Sequence, residues 1–320
     1  ALIPWNIYMF YGDHKLLADC YENIKRYVDY VDRTSPTGLT SWGRGDWVPV
    51  KSHSSKELTS SVYFYVDTKI LANAAKLFNK QEDYEHYQAL AEKIRQAIND
   101  KYLNRETGIY ASGVQTELSV PLMWGIVPKD MKAKVARNLA KKVEEAGFHL
   151  DVGVLGAKAI LNALSENGEA ETAYKVAAQD TYPSWGCWIA NGATTLLENW
   201  DLNATRDISD NHMMFGEIGG WFYKGLGGIF PDPENPGFKH ILLRPNFPSG
   251  LNELEARYQS PYGEICSKWE RKKNRIVYHV TVPANSTATF YAPDNVKGER
   301  AVKLEAGKHI LELPIKRAVY

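Results

Sequence analysis

The segment Pro231-Asp232-Pro233-Glu234-Asn235-Pro236-Gly237 separates two parts of the sequence that differ in periodicity. Three prolines and a glycine within seven residues cannot continue a helix, and they are typical of a linker with turns. Upstream of the segment the apolar residues recur with the period of a helix, and downstream they alternate with the period of a strand. The sequence therefore predicts a helical domain over residues 1–232 and a β domain over residues 238–320.

The connections in the helical part alternate between short and long. Gly12-Asp13 and Asn167-Gly168 mark short turns, which predict antiparallel helical hairpins. Residues 35–55 and 178–188 form long connections rich in Gly, Trp and Pro. Short turns on one rim and long loops on the other are typical of a ring of hairpins, so we predict a mainly α fold, an (α/α)6-barrel. The candidate helices span residues 2–11, 14–32, 56–79, 82–102, 116–126, 129–146, 152–166, 168–179, 187–200 and 212–226.

The β part has short runs of period two, and turn residues such as those at 261–263 and 283–285 separate them. Short strands at this spacing predict an antiparallel β-sandwich that follows the barrel. The candidate strands span residues 241–243, 254–258, 264–269, 276–282, 287–291 and 309–313.

The charge balance restricts the class of partner. Lys and Arg together number 38, as do Asp and Glu, so the net charge is zero. No basic field is available for nucleic acid or for an anionic membrane, and a neutral partner is expected instead. No apolar run is long enough to span a bilayer. The three cysteines lie far apart, and neither a disulfide framework, a metal site nor a cofactor is predicted. The oligomeric state stays open.

The long connection at residues 35–55 contains a candidate sugar site. Residues 41–47 (SWGRGDW) place two indoles, two glycines and a carboxylate close together. An indole face packs on the apolar face of a sugar ring, while a nearby carboxylate binds hydroxyl groups. Asp46 and Trp47 are therefore candidate substrate-binding residues. The alternative is that both indoles pack the loop onto the barrel.

Two further segments carry candidates. Residues 180–188 form a rigid aromatic turn in which Trp185 is either a structural wall or a sugar contact. Residues 191–201 suggest a tightly packed helix that delivers Glu198 to its end. Glycosidases need a pair of carboxylates beside the anomeric carbon, although most glutamates at helix ends are simply solvated.

His212, in a fourth segment, is the last candidate. A histidine beside apolar residues is more often a satisfied core residue, but a neutral imidazole can also donate to a sugar hydroxyl or a carboxylate. No second histidine or acid lies at helical metal-ligand spacing from it, which argues against a metal site there.

Taken together, these motifs resemble the bacterial α-L-rhamnosidases, which have an (α/α)6 catalytic barrel and a C-terminal β-sandwich. The resemblance spans all 320 residues and depends on the order and spacing of several motifs. They are Ile3-Pro4-Trp5, Tyr11-Gly12-Asp13, Gly45-Asp46-Trp47, Asp151-Val152-Gly153, Leu164-Ser165-Glu166-Asn167-Gly168, Tyr182-Pro183-Ser184-Trp185-Gly186, Gly192-Ala193-Thr194-Thr195, Glu198-Asn199-Trp200-Asp201 and Asn211-His212.

The resemblance implies an inverting hydrolase that removes terminal α-L-rhamnose. Glu198 matches the general base of the family, His212 matches the histidine of the sugar subsite, and Trp47 matches an aromatic wall. Leu197 stands where these enzymes usually carry Trp, so one wall of the subsite differs. We expect Trp47, Trp185, Glu198 and His212 to converge on one rim of the barrel and to bind a rhamnoside without a metal.

The resemblance implies that the general acid of the family lies upstream of residue 1. The chain is therefore expected to be the C-terminal portion of such an enzyme, with an incomplete barrel and negligible cleavage of natural rhamnosides by itself. If a residue of this chain supplies the proton, Asp46 and Glu117 are the first to consider. Two alternatives stay open: another (α/α)-barrel glycosidase, and a non-catalytic sugar-binding homologue.

Overall fold

The computed structural model describes residues 1–316 and contains two compact units. The helical unit comprises residues 1–2 and Leu17–Ile218, and the β unit comprises Ile3–Leu16 and the residues from Gly219 onward. This division differs from the predicted domains, 1–232 and 238–320, at both ends of the helical part. The first helix belongs with the β unit because Phe10 packs edge-on against Phe238, with 5.6 Å between ring centroids.

The proline-rich segment is a turn inside the β unit. A strand already runs over Ile229–Pro231, before most of the prolines. Asp232 and Asn235 then close the turn with a 3.0 Å backbone hydrogen bond from the Asn235 N–H to the Asp232 carbonyl. The periodicity of the sequence does change at this segment, but the boundary between the two units lies upstream of it, between Ile218 and Gly219.

Ten α-helices run along the described chain, most of them in the helical unit. No helix within residues 1–316 is long and apolar enough to cross a membrane. The helices are α1 (Leu2–Tyr11), α2 (Lys15–Thr34), α3 (Lys56–Leu77), α4 (Gln81–Tyr102), α5 (Gln115–Met123), α6 (Lys132–Glu145), α7 (Val154–Glu166), α8 (Ala170–Ala177), α9 (Trp185–Ala190) and α10 (Glu217–Trp221).

The helical unit has two layers. Helices α3, α5 and α7 contact one another in series and bury residues on nearly every side, so they form the inner layer. Helices α4, α6 and α8 bury one face each, and each packs against the inner helix that precedes it. A helix that is apolar all round belongs inside, and an amphipathic helix belongs at the surface. The predicted helical hairpins are confirmed.

This hairpin order fixes the rim at which the long loops meet. Each inner helix is followed by a turn and an antiparallel outer helix, so α3, α5 and α7 are parallel. Their N-terminal ends therefore lie at the same rim. Residues 35–55, 103–114 and 146–153 enter the inner helices at this rim.

Two predicted helices are wrong in their extent. The helix predicted over residues 187–200 is the short α9, which ends at Ala190 because Gly192 adopts the left-handed φ of 90°. Residues 191–212 contain no regular element. The helix predicted over residues 212–226 is divided into a 3₁₀ turn over Met213–Phe215, the short α10, and a π-helical turn over Phe222–Leu226.

The β unit is a two-sheet sandwich, as predicted, with one parallel pairing. One sheet has the order β10-β7-β6-β5, and the other has the order β3-β4-β8-β9. Strands β4 and β8 pair in parallel, whereas their neighbours pair antiparallel. The strands are β3 (Ile229–Pro231), β4 (His240–Leu243), β5 (Glu253–Ser260), β6 (Gly263–Lys272), β7 (Arg275–Val282), β8 (Thr287–Tyr291), β9 (Ala301–Leu304) and β10 (Gly307–Pro314). Strands β1 (Leu103–Asn104) and β2 (Ile109–Tyr110) form a small hairpin in the helical unit.

Trp269, Tyr278 and Phe290 fill the core between the two sheets and are fully buried. Alternate residues of the strands point into this core, as the burial pattern of β7 shows. Strands β3 and β9 were not predicted; β3 lies directly before most of the prolines, inside the residues assigned to the helical domain.

Candidate functional site

Asp46 anchors the long loop of residues 35–55 to the start of α7. Its Oδ1 accepts hydrogen bonds from the backbone N–H of Leu155 at 2.7 Å and of Gly156 at 3.2 Å. Its Oδ2 accepts from the Gly153 N–H at 2.8 Å and from the Thr116 hydroxyl. Burial raises the pKa of the Asp46 carboxyl above its usual range, while the four donated hydrogen bonds act in the opposite direction.

This arrangement gives Asp46 a different use from the sugar contact expected of it. Both carboxylate oxygens are engaged by donors of the protein itself, and the donors at the start of α7 are N–H groups that the helix leaves unpaired. A carboxylate at this position also compensates the positive end of the helix dipole. We therefore assign Asp46 to positioning the loop.

Gly153 allows the loop to approach α7 closely. The Val154 N–H donates to the Trp47 carbonyl at 2.9 Å, and a Cβ on Gly153 would lie only 2.2 Å from that carbonyl oxygen. The Trp47 carbonyl is part of the backbone and cannot move away from such a Cβ as easily as the end of a flexible side chain could. The absence of a side chain at residue 153 is thus a requirement of this contact.

Gly153→Ala should therefore destabilise the helical unit, because the new methyl group displaces the Trp47 backbone. Overpacking of this kind costs about 1–3 kcal/mol, measurable as a lower urea midpoint. Gly219→Ala in α10 is a suitable control, since nothing lies within 4 Å of its Cβ position. Equal midpoints for Gly153→Ala and the unsubstituted protein would show that the close approach is not needed.

Trp47 presents its ring to solvent. Its exposed fraction is 40%, and the guanidinium of Arg44 lies 5.5 Å from its ring centroid. Trp42, on the same loop, packs edge-on against Tyr30 with 5.0 Å between ring centroids. Neither indole is buried by the loop, so the structure favours the binding interpretation of residues 41–47 over the packing one.

Glu117 is also committed to backbone contacts. Its Oε1 accepts from the Ser55 N–H at 2.8 Å, and its Oε2 accepts from the N–H groups of Ser112 and Gly113 and from the Ser112 hydroxyl. The side chain is buried, and it ties the start of α3 to the turn before α5. Like Asp46, Glu117 has both carboxylate oxygens engaged by hydrogen-bond donors of the protein, which argues against a role as proton donor.

A cluster of four aromatic rings supports the loop that carries Glu198. Trp188 and Trp200 stack at 4.8 Å, Trp185 meets Trp200 edge-on at 5.3 Å, and Phe215 completes the group. Each indole N–H donates to a backbone carbonyl. Trp185 is only 5% exposed, and its N–H donates to the Phe215 carbonyl at 3.0 Å. The structure therefore favours the structural interpretation of Trp185.

Glu198 and His212 come together on the irregular loop of residues 191–212. The Glu198 N–H donates to the Ser209 carbonyl at 2.9 Å, and the Ser209 N–H donates to Glu198 Oε2 at 3.1 Å. The Glu198 Oε1 lies 4.0 Å from His212 Nε2. Glu198 is thus delivered by a loop that doubles back on itself, and not by the end of a helix as predicted.

The tautomer of neutral His212 follows from a hydrogen bond that its ring accepts from the backbone. Its Nδ1 accepts a hydrogen bond from the Met214 N–H at 3.1 Å. In the neutral imidazole the proton is therefore on Nε2, the nitrogen that faces Glu198. The side chain is 40% exposed, so Nε2 can donate to a bound ligand or to the carboxylate.

Both loops are attached to the segment Val152–Val154. The Trp200 indole N–H donates to the Val152 carbonyl at 2.9 Å, and the Val154 N–H donates to Trp47. The loop of Trp47 and the loop of Glu198 and His212 thus meet at the N-terminal end of α7, at the rim described above.

The motif Asp151-Val152-Gly153 was identified in the sequence, but its role in connecting the loops at this rim was not predicted. The Asp151 carboxylate accepts from the N–H groups of Lys51 and Ser52 and from the Ser52 hydroxyl. Burial works against ionisation, but these hydrogen bonds outweigh it and hold the pKa of Asp151 below its usual range. The signal available in the sequence was an acid and a glycine just before a helix, which is a capping pattern. Within residues 1–316 no group of three or more His, Cys, Asp or Glu side chains could hold a metal ion.

Helical hairpins in two layers and a following sandwich define the class of helical-hairpin proteins with a C-terminal β domain, and Glu198 and His212 lie together on its loop rim. The model of the bacterial α-L-rhamnosidase 6 hairpin glycosidase domain matches residues 1–226, and that of the bacterial α-L-rhamnosidase C-terminal domain matches residues 228–307. The chain belongs to the bacterial α-L-rhamnosidase family.

Relatives and solved structures agree with this assignment. An α-L-rhamnosidase of Formosa agariphila is 30% identical over 308 residues, which are 92% of this chain and 33% of that protein. The structure of α-L-rhamnosidase from Dictyoglumus thermophilum superposes with a TM-score of 0.89 at 32% identity, covering 98% of this chain and 38% of the other. That of the Streptomyces avermitilis enzyme, complexed with L-rhamnose, has a TM-score of 0.86 at 27% identity, covering 98% and 32%. The chain thus spans about a third of the length of these relatives.

Proposed function

We propose that this chain carries the general base of an inverting α-L-rhamnosidase, which removes terminal α-L-rhamnose from glycosides or polysaccharides. Glu198 is the general base that deprotonates the attacking water. His212 and Trp47 bind the rhamnose ring, His212 through a hydroxyl and Trp47 through an apolar face. The substrate class rests on the family and on the related Streptomyces avermitilis structure that contains L-rhamnose.

The observation that carries the proposal is the unequal use of the two oxygens of Glu198. Oε2 is held by the Ser209 N–H, while Oε1 faces His212. One oxygen fixes the direction of the carboxylate, and the other can accept a proton from water. The side chain is 20% exposed, so water reaches it. A base held in this way needs little reorganisation when it takes up the proton.

The general acid of the pair is a carboxyl other than Asp46 and Glu117, since both of these bind backbone donors. In inverting glycosidases the two carboxyl groups are about 6.5–9.5 Å apart, which leaves room for the water. Glu198 therefore activates the water on one face of the sugar ring, and a carboxyl group other than Asp46 and Glu117 protonates the leaving oxygen on the opposite face.

A panel of nitrophenyl glycosides tests the proposal. The active enzyme should release nitrophenol from the α-L-rhamnoside and leave glucosides and glucuronides intact. Proton NMR of the first turnover should show the β-anomer of L-rhamnose before mutarotation. Release of the α-anomer would rule out inversion, and a preference for another sugar would favour the alternative of a different barrel glycosidase.

Substitution of His212 should affect binding more than turnover. His212→Ala removes one hydrogen bond to the sugar, and a hydrogen bond is worth about 0.5–1.5 kcal/mol net. We expect KM for the rhamnoside to rise roughly two- to tenfold, with a smaller change in kcat. Steady-state kinetics and calorimetry with L-rhamnose measure both. An unchanged KM and an unchanged affinity for rhamnose would make His212 a structural residue.

A further inference from the structure

The loop that carries Glu198 is folded back on itself by two backbone hydrogen bonds. The Glu198 N–H donates to the Ser209 carbonyl at 2.9 Å, and the His212 N–H donates to the Leu196 carbonyl at 2.9 Å. These bonds place Glu198 and His212 side by side, but both lie within the loop. They do not fix the loop relative to the helices, so a further contact has to set the position of the base.

Trp200, two residues after Glu198, joins this loop to the body of the helical unit. Its side chain is fully buried, and its indole N–H donates to the Val152 carbonyl at 2.9 Å. The Trp200 carbonyl accepts the indole N–H of Trp188 at 3.3 Å, and the two rings stack with 4.8 Å between centroids. Trp200 is therefore held through its ring, its N–H and its backbone carbonyl.

The Trp200 ring also contacts the segment that follows His212. Its centroid lies 4.3 Å from that of Phe215, which is three residues after His212 and is fully buried. One buried indole thus packs against the segment that follows His212 and belongs to the segment that follows Glu198. The separation of the base and the histidine consequently depends on where this ring lies.

Val152 lies beside the residue that holds the proposed sugar wall. Two residues later the Val154 N–H donates to the Trp47 carbonyl at 2.9 Å. Trp47 is the side chain proposed to contact the apolar face of the rhamnose. The base and the sugar are therefore placed against the same short stretch of backbone, the base through Trp200 and the sugar through Trp47.

We propose that Trp200 is a positioning residue for the general base, and that its hydrogen bond to Val152 sets the distance from Glu198 to the anomeric carbon. The inference rests on the proposed function, because it explains how the base named there is held. Trp200 is buried in the aromatic cluster and acts through Glu198 without touching the sugar. A misplacement of about 1 Å at a reacting group can cost on the order of 10²-fold in rate.

Trp200→Phe tests the inference, because phenylalanine keeps an aromatic ring in the cluster and removes the N–H donor to Val152. In the active enzyme it should lower kcat on a nitrophenyl α-L-rhamnoside about 5- to 50-fold, with KM changed by less than about twofold. Trp200→Met, whose flexible side chain fills the same space without a donor, should give a similar loss of kcat.

Trp269→Phe is the matched control for stability. Trp269 is an equally buried tryptophan of the β unit, and its indole N–H donates to the Leu226 carbonyl at 3.3 Å. The substitution removes the same type of hydrogen bond and the same volume as Trp200→Phe. It should therefore lower the urea midpoint comparably and leave kcat and KM unchanged.

A double variant provides a measurement that a purely structural role would not change. Once Glu198→Gln has removed the base, the position of this side chain no longer affects proton transfer. Adding Trp200→Phe to Glu198→Gln should therefore lower kcat by less than about twofold further. If Trp200 only stabilised the fold, it would lower kcat by the same factor in both backgrounds.

The outcomes separate this inference from the proposed function. Losses of kcat that multiply in the double variant, or an unchanged kcat in Trp200→Phe, overturn the positioning role and leave Glu198 as the base. An equal loss of kcat in Trp269→Phe also overturns it, since stability alone would then explain the effect. Near-normal kcat in Glu198→Gln contradicts the proposed function itself, and the positioning role is then wrong with it.

Discussion

Glu198→Gln should lower kcat on a rhamnoside about 10²–10⁴-fold, the usual contribution of general base catalysis, with little change in KM. Gln has the shape of Glu and can still accept the Ser209 N–H through its amide oxygen, so the loop should keep its conformation. It cannot, however, take a proton from water. Because the base acts mainly in the transition state, the loss appears in turnover and not in ground-state binding.

Azide provides an internal check of this prediction. In Glu198→Ala the shorter side chain leaves room for azide, which attacks the anomeric carbon as an anion and needs no deprotonation. Added azide should restore part of the activity and yield the β-rhamnosyl azide, detected by mass spectrometry. Glu92→Gln, on the outer helix α4, is the matched control and should behave as the unsubstituted enzyme. Near-normal turnover by Glu198→Gln would place the base elsewhere.

The hairpin architecture could be predicted because its information is local. An outer helix such as α6 carries its apolar residues at helical spacing, and the short turns between helices require the chain to reverse its direction. The strands of the sandwich are likewise visible as alternation, as in Arg275–Val282. Short strands such as β1, β2 and β9 were missed because two to four residues show little periodicity, although the four-residue β4 was predicted from its apolar run.

The helix wrongly predicted over residues 187–200 shows what local reasoning lacks. Ala193, Leu196 and Leu197 have favourable helix propensity, although Gly192 and the two threonines between them do not. Gly192 nevertheless turns the chain, and Trp200 gains more from stacking on Trp188 in a buried cluster than it would on a helix surface. Tertiary packing therefore determines the conformation of this segment, and the sequence of the segment alone does not reveal those contacts.

The same limit applied to the candidate site. Glu198 and His212 could be proposed from motifs, but the use of Asp46 could not. Its donors Gly153 and Leu155 lie 107 and 109 residues further along the chain. A carboxylate beside tryptophans is compatible with binding a sugar and equally with capping a distant helix, and only the three-dimensional contacts separate the two.

Asp46→Ala should be among the most destabilising substitutions in the helical unit. It leaves the N–H groups of Gly153, Leu155 and Gly156 without their acceptor, and an unsatisfied buried polar group costs about 1–3 kcal/mol. The loss of a negative charge at the start of α7 adds about 0.3–1 kcal/mol. Since water can enter and satisfy some donors, we expect a total loss of roughly 3–5 kcal/mol in the free energy of unfolding.

Urea unfolding followed by circular dichroism measures this loss as a lower midpoint at an unchanged slope. Asp46→Asn is the more informative partner variant, because its amide keeps one acceptor oxygen but turns an NH2 group towards backbone donors; it should also be destabilised, though less. Asp180→Ala, an exposed carboxylate of the same unit, should stay within about 0.5 kcal/mol of the unsubstituted protein. If Asp46→Ala instead unfolds like Asp180→Ala and loses affinity for rhamnose, then Asp46 binds the sugar, and the anchoring role deduced from its four donors is incorrect.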